Sequence, residues 1–298
     1  MANYTVFILA VCGTYALLAQ SLVLSWGLAG LPNLGLAGFF AIGGYAGAML
    51  GKWGGWPPAL ALAAALPLGA LAGALVTAAT LRLRDDYLAI VTLGFAEVLR
   101  LVLLNETWLT GGADGIAGVP APFPREWGIG FHGAMLALVS ALVLACGWTV
   151  RRLAASPWGR AVRAVREDQV VAAVAGKDVT RLKAQAFALS AAIAALAGAF
   201  YGQYTSYVAP DTFQVLVTVY VFLAVTAGGP ARALGGTLGA YALIAFVEGT
   251  RLLADVVPGL TPGRTAALRE IMVGVVLILL LRLRPDGLLP ERNQKAPA

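Results

Sequence analysis

The feature that most constrains this chain is a succession of long apolar runs, separated by short breaks. They cover residues 5–29, 34–51, 58–81, 87–104, 133–150, 184–207, 213–227, 234–253 and 267–281. A helix of roughly 17–25 apolar residues crosses about 30 Å of hydrocarbon. Of 298 residues, 59% are hydrophobic and only 12% are charged, against about 25% charged in soluble domains. The expected fold is therefore all-α, a polytopic transmembrane helical bundle of about nine spans, with eight to ten as the range. Runs of this length do not fit the alternating strands of an outer-membrane barrel.

One stretch interrupts this pattern. Residues 151–183 read RRLAASPWGRAVRAVREDQVVAAVAGKDVTRLK and carry Arg151, Arg152, Arg160, Arg163, Arg166, Lys177, Arg181 and Lys183. Placed in the cytoplasm, this insert brings there a turn at 82–86, the loop at Arg232 and a polar tail over 283–298. That side then holds most of the basic residues, as the positive-inside rule expects. Such an insert gives something outside the bilayer a place to grip. Ser156-Pro157 is a helix-start signal, and Gly176 is placed to end the helix. Between them Val162, Val165 and Val170 share one face, while Arg160, Arg163 and Glu167 share another. A second short helix is expected to begin near Asp178. A protein partner and an anionic lipid surface both suit these charges.

The net charge of +6 does not point to nucleic acid; no basic patch is interleaved with stacking aromatics. Cys12 and Cys146 sit inside apolar runs and imply neither a disulfide framework nor a metal site. A single histidine, His132, cannot build a catalytic set. The phosphate-binding loop pattern fails at both Gly-Lys pairs: Gly51-Lys52 has Ala46 and Trp53 at the required Gly and Ser/Thr positions, and Gly176-Lys177 has Val171 and Asp178.

Ionisable residues inside spans are costly and mark bundle interiors or cavities. Glu97 has Arg100 three residues on, and Glu248 has Arg251, a spacing that lets each pair meet on one helix face. Asn33, Gly35, Gly38, Tyr45, Thr92, Thr226 and Gly228 combine backbone irregularity or a hydroxyl with apolar neighbours, as the lining of a route through broken helices would. Gly43, Gly47 and Gly51 mark a helix-packing face. The short run 213–227 ends in Gly-Gly-Pro and reads as a half-helix or re-entrant segment.

Several stretches together resemble the permease subunits of bacterial ABC importers for branched-chain amino acids, specifically the subunit with the longer cytoplasmic insert. They are residues 35–50 (GLAGFFAIGGYAGAML), 86–100 (DYLAIVTLGFAEVLR), 110–116 (TGGADGI), 158–176 (WGRAVRAVREDQVVAAVAG), 208–213 (VAPDTF) and 284–288 (RPDGL). The resemblance implies one transmembrane unit over 1–298, in the bacterial cytoplasmic membrane, forming half of a pore with a second related permease subunit. It also implies two ATPase subunits carrying ATP and Mg, a periplasmic substrate-binding protein, and no cofactor on this chain. Membrane lipid surrounds it. Within the insert, the resemblance implies a coupling helix that docks on the ATPase, with Gly159, Arg160, Arg163, Glu167, Asp168, Ala172, Ala173 and Gly176 as candidates. Ala173 stands where the family pattern has an acid. Members of the family also carry urea and short amides. An ion-coupled secondary transporter is the alternative from another class, and a membrane-embedded enzyme a third.

Overall fold

The computed structural model describes residues 2–80, 85–254 and 271–275, together with 278, 279, 282, 287 and 289. About half of the expected ninth span, the connector before it, most of the tail, and residues 82–84 of the charged turn lie outside the described residues.

The chain order is α1 (Ala2–Leu22), α2 (Leu36–Lys52), α3 (Pro58–Thr80), α4 (Asp85–Asn105), α5 (Thr107–Thr110), β1 (Ile116–Ala117), α6 (Ile129–Ala155), α7 (Pro157–Glu167), α8 (Gln169–Val174), α9 (Val179–Thr205), β2 (Tyr207–Val208), α10 (Val215–Gly228) and α11 (Ala233–Ala254). A π-helix, Val23–Leu28, extends α1. Six helical segments among the described residues are long and apolar enough to cross a membrane. The helices α2 and α11 fill two further expected runs. Among the described residues the all-α expectation holds apart from one two-residue antiparallel pair, Ile116 with Val208 and Ala117 with Tyr207.

Two helices form the interior. In their most apolar windows the extended α1 and α9 are 67% and 72% buried, whereas α3, α4 and α6 are 22–28% buried. Hydrocarbon gives helices little hydrophobic reason to associate, so small residues and polar contacts hold such bundles. Both devices are present. A Cβ on Gly43 would run into the Ala195 carbonyl, and one on Gly198 into the Phe40 carbonyl, so α2 and α9 touch backbone to backbone. On α3, Gly69 and Gly73 receive Ala195 and Ala191 of α9 in the same way. Ser21 and Ser190 tie α1 to α9 by exchanging hydroxyl-to-carbonyl bonds at 2.7 and 2.8 Å.

Directions follow from the contacts. The π-helix at the end of α1 lies against α7, where the Arg166 guanidinium donates to the Gly27 carbonyl. At the opposite end, Gln203 near the end of α9 donates to Pro58 at the start of α3 (2.7 Å). The insert helices therefore cap one end of the bundle, and the segments joining α4 to α6 and α9 to α10 close the other.

Two helices start inside the bundle rather than at its ends. After Gly30, whose φ of 70° is left-handed, the chain runs irregularly through Asn33 before α2 begins among buried neighbours. The helix α10 has 14 residues, about 21 Å at 1.5 Å per residue, and reaches the length of a span only with the turn that precedes it, as Pro210–Gly228. A 3-10 turn, Pro210–Phe213, leads into it and sets the Phe213 ring 5.0 Å from that of Phe40. The run expected as a half-helix or re-entrant segment is thus one of the six segments long enough to cross.

Candidate functional site

The insert differs from the expected single helix. Ser156 does cap α7, its hydroxyl accepting from Gly159 N at 3.2 Å. The helix then breaks at Asp168, whose carboxylate accepts from Val170 N (2.8 Å) and Val171 N (3.0 Å) and caps a new helix, α8. An Asp that satisfies two otherwise free amides favours a fresh start over continuation. Gly176 ends α8 with φ 76°, as expected. The short helix expected from Asp178 is instead the first turn of the 27-residue α9, with Asp178 accepting from Arg181 N.

This break redistributes the faces. Val162 and Val165 are buried against the bundle. Val170 does not join them: Val170, Val171 and Val174 are 73%, 64% and 86% exposed. Ala172 is buried, while Ala173 and Gly176 are exposed. The result is a small protruding apolar knob with no bulky charge on it. Of the coupling candidates, Ala173 and Gly176 lie on this knob, and Asp168 holds its base. Gly159 is packing, since a Cβ there would meet the Ala154 carbonyl at 2.6 Å. Arg160 and Glu167 are solvated on α7, and Arg163 is half-buried.

The knob is tied to the bundle interior. Trp158 Nε1 donates to Gln185 Oε1 of α9 at 2.9 Å. Arg166 holds the π-helix through Gly27, and its stem lies over Gly30, where a Cβ would come within 2.6 Å of Arg166 Cγ. From Gly30 only a few residues lead to the buried start of α2.

That start gathers several of the expected pathway residues. Leu34 N donates to Thr92 Oγ1 of α4 (3.2 Å), and Gly35 N to Asn33 Oδ1 (3.1 Å). Ala37 N donates to Thr218 Oγ1 in the first turn of α10 (3.1 Å). Gly35 and Gly38 let α2 lie against Thr92 and Ala96. Side chains thus replace water in capping a helix that starts in an apolar interior. Asn33 is fully buried, and its Nδ2 has no hydrogen-bond partner among the described residues. Thr218 was missed from the sequence, because a hydroxyl inside an apolar run carries no local signal.

The remaining candidates are dispersed. Glu97 and Arg100 do pair, with Nη2 to Oε1 at 2.6 Å, on the half of α4 away from the insert. Tyr45 is buried beside Phe213. Thr226 donates to Phe222 O in the last turn of α10, and Gly228 packs α10 on α11; both lie at the insert end. Glu248 accepts from the Tyr4 hydroxyl at 3.0 Å, joining α11 to α1. The expected partner of Glu248, Arg251, has its side chain outside the described residues.

A broken-helix membrane bundle with a protruding insert is a transporter architecture, and comparison with known proteins is specific. A family model described as "Branched-chain amino acid transport system / permease component" matches residues 4–281. The chain belongs to this family. The LivM high-affinity branched-chain amino acid transport system permease protein of Salmonella typhimurium is 34% identical over 93% of this family member and 68% of its own length. A probable LivM of Methanocaldococcus jannaschii is 28% identical, covering 94% and 91%. The permease protein LivH of Escherichia coli is 26% identical, covering 93% and 91%.

Proposed function

We propose that this family member is one of two permease subunits of an ATP-driven importer for branched-chain or other hydrophobic amino acids. It would lie in the bacterial cytoplasmic membrane with insert and C-terminus inside. The insert-end arginines support that orientation. The LivM and LivH relatives support a second, related permease as the other half of the pore. Two ATPase subunits binding ATP and Mg would dock at the insert, and a periplasmic binding protein would meet the opposite end.

The observation that carries this reading is the knob of Val170, Val171 and Val174, exposed in a segment otherwise rich in charge. Fully burying a valine contributes on the order of 1.5–3 kcal/mol, so three create a strong demand for a partner cleft. Small residues beside them, Ala173 and Gly176, let the helix end enter such a cleft. Motion of the ATPases would move α8 and α7 together. Arg166 would pass that motion to the π-helix and Gly30, and so to the buried first turn of α2. A change in how α2 meets α10 would then open one end of the route and close the other.

The test is Val174→Asp, alone and with Val170→Asp. Both positions are exposed, so the fold is retained. Uptake should be lost, along with co-purification of the ATPase, while amino-acid binding by the binding protein is unchanged. Normal ATP-driven uptake by the double variant would defeat the assignment of α8 as the coupling element.

A further inference from the structure

At the end of the bundle opposite the insert, two remote segments meet. The pairing of β1 with β2 is reinforced by the Tyr207 hydroxyl, which donates to Asp114 O at 2.9 Å. Gly115 is required there: its φ is 65°, and a Cβ would lie 2.9 Å from Ala209 Cα. Beneath this junction is a cavity of about 480 Å³, walled by Val11 and Tyr15 of α1, Phe40 of α2, Tyr201 of α9, and Tyr207 and Asp211 after it. The volume falls within the range of about 300–1,000 Å³ typical of small-ligand sites.

The walls are selective in two ways. Three aromatic rings, those of Tyr15, Phe40 and Tyr201, offer an apolar lining whose faces also attract cations. The charge beside them is negative. Arg100 comes within 4.0 Å of Asp211 Oδ1, but Glu97 already engages that guanidinium through Nε at 3.1 Å and Nη2 at 2.6 Å. Two carboxylates against one guanidinium leave this corner one charge short of neutral. Tyr45, nearby on α2, is 3% exposed, packs against Phe213, and has a hydroxyl with no hydrogen-bond partner among the described residues.

We infer that this cavity is a reception site for a small molecule bearing a primary ammonium and an apolar chain, such as a hydrophobic α-amino acid. The ammonium binds Asp211, and the apolar chain lies among Tyr15, Phe40 and Tyr201. This inference rests on the amino-acid reading above and adds the residues and chemistry of recognition to it.

The test is equilibrium binding of radiolabelled leucine to the full complex, purified through a tag on this chain and placed in lipid nanodiscs without binding protein or nucleotide. Saturable binding is expected. 3-Methylbutylamine, which keeps the ammonium, should compete at least about tenfold better than 4-methylpentanoate, which keeps only the carboxylate. Asp211→Asn should weaken leucine binding about tenfold or more. Tyr201→Leu, which removes an aromatic wall and no charge, should weaken both leucine and the amine. Size-exclusion profiles of each variant complex confirm assembly. Absence of saturable binding, equal competition by the acid, or wild-type binding in both variants would each overturn the inference. A separate uptake assay keeps the two claims apart. Binding with these preferences but no ATP-driven uptake would retire the importer reading and leave the cavity assignment standing.

Discussion

The backbone N–H of Ala37 donates to the Thr218 hydroxyl at 3.1 Å, joining the first turns of two helices 181 residues apart. Both helices begin inside the bundle, where no water is at hand to satisfy a free amide. Thr218→Val keeps the shape and removes the acceptor. The loss of such a cap costs about 0.5–2 kcal/mol. The variant should unfold at lower temperature in detergent, and Thr218→Ser should restore most of the loss. A Val variant as stable as the wild type would show that α2 starts without this cap.

Arg166 is the second joint. Its guanidinium donates to Gly27 O from α7, and its stem covers Gly30. A hydrogen bond to a charged group contributes about 1.5–3 kcal/mol. Arg166→Ala should leave the chain folded and the ATPases docked on α8, yet raise the ATP hydrolysed per molecule imported by about fivefold or more. Simultaneous measurement of phosphate release and uptake in vesicles checks this. An unchanged ratio would place the transmission elsewhere.

Glycine packing gives a contrast within one chain. A Cβ on Gly43 has no space against Ala195, whereas Gly94 on α4 has nothing within 4 Å. Gly43→Ala should destabilise by at least about 1–3 kcal/mol, as overpacking does. Gly94→Ala should be neutral or stabilising by up to about 1 kcal/mol, since alanine is the better helix former. Thermal unfolding in detergent separates the two, and similar midpoints would contradict backbone contact between α2 and α9.

These contrasts show what the sequence could reveal. Apolar run length located the helices, because a span must satisfy its own backbone. Ser156 and Gly176 were legible as helix ends because caps are local. Glu97 with Arg100 was legible from spacing alone. The helix break at Asp168 was missed because the run after it continues in helix-compatible residues, and only its carboxylate geometry reveals the break. Thr218 and the meeting of residues 116–117 with 207–208 were invisible for another reason. They depend on contacts between segments far apart in the chain, and a two-residue strand has no periodicity. The capped ends of the insert were therefore readable in advance, and its internal break, its exposed valines and the cavity at the other end were not.

Arg125 secures the segment above that cavity. Its Nη2 donates to the carbonyls of Gln203 (2.8 Å) and Tyr204 (3.3 Å), two of the unsatisfied acceptors at the end of α9. Its guanidinium also lies 4.8 Å from the centre of the Phe131 ring. A cation suits this position, because the C-terminal end of a helix carries partial negative charge. Burial lowers the Arg125 pKa from its ordinary value. The lowered value sets the sign: burying the charged form costs stability at low pH, and that cost is relieved only as pH rises through the lowered value, but an arginine stays protonated throughout the physiological range. Arg125→Ala should therefore speed proteolysis in the 106–128 segment by about tenfold, with no pH dependence around neutrality. Arg125→Lys should recover only part of the protection, since an ammonium cannot reproduce the planar fork and the ring stacking together. Limited proteolysis followed by mass spectrometry locates the cuts. Wild-type protection in the alanine variant would mean that the β1–β2 pairing alone holds the segment.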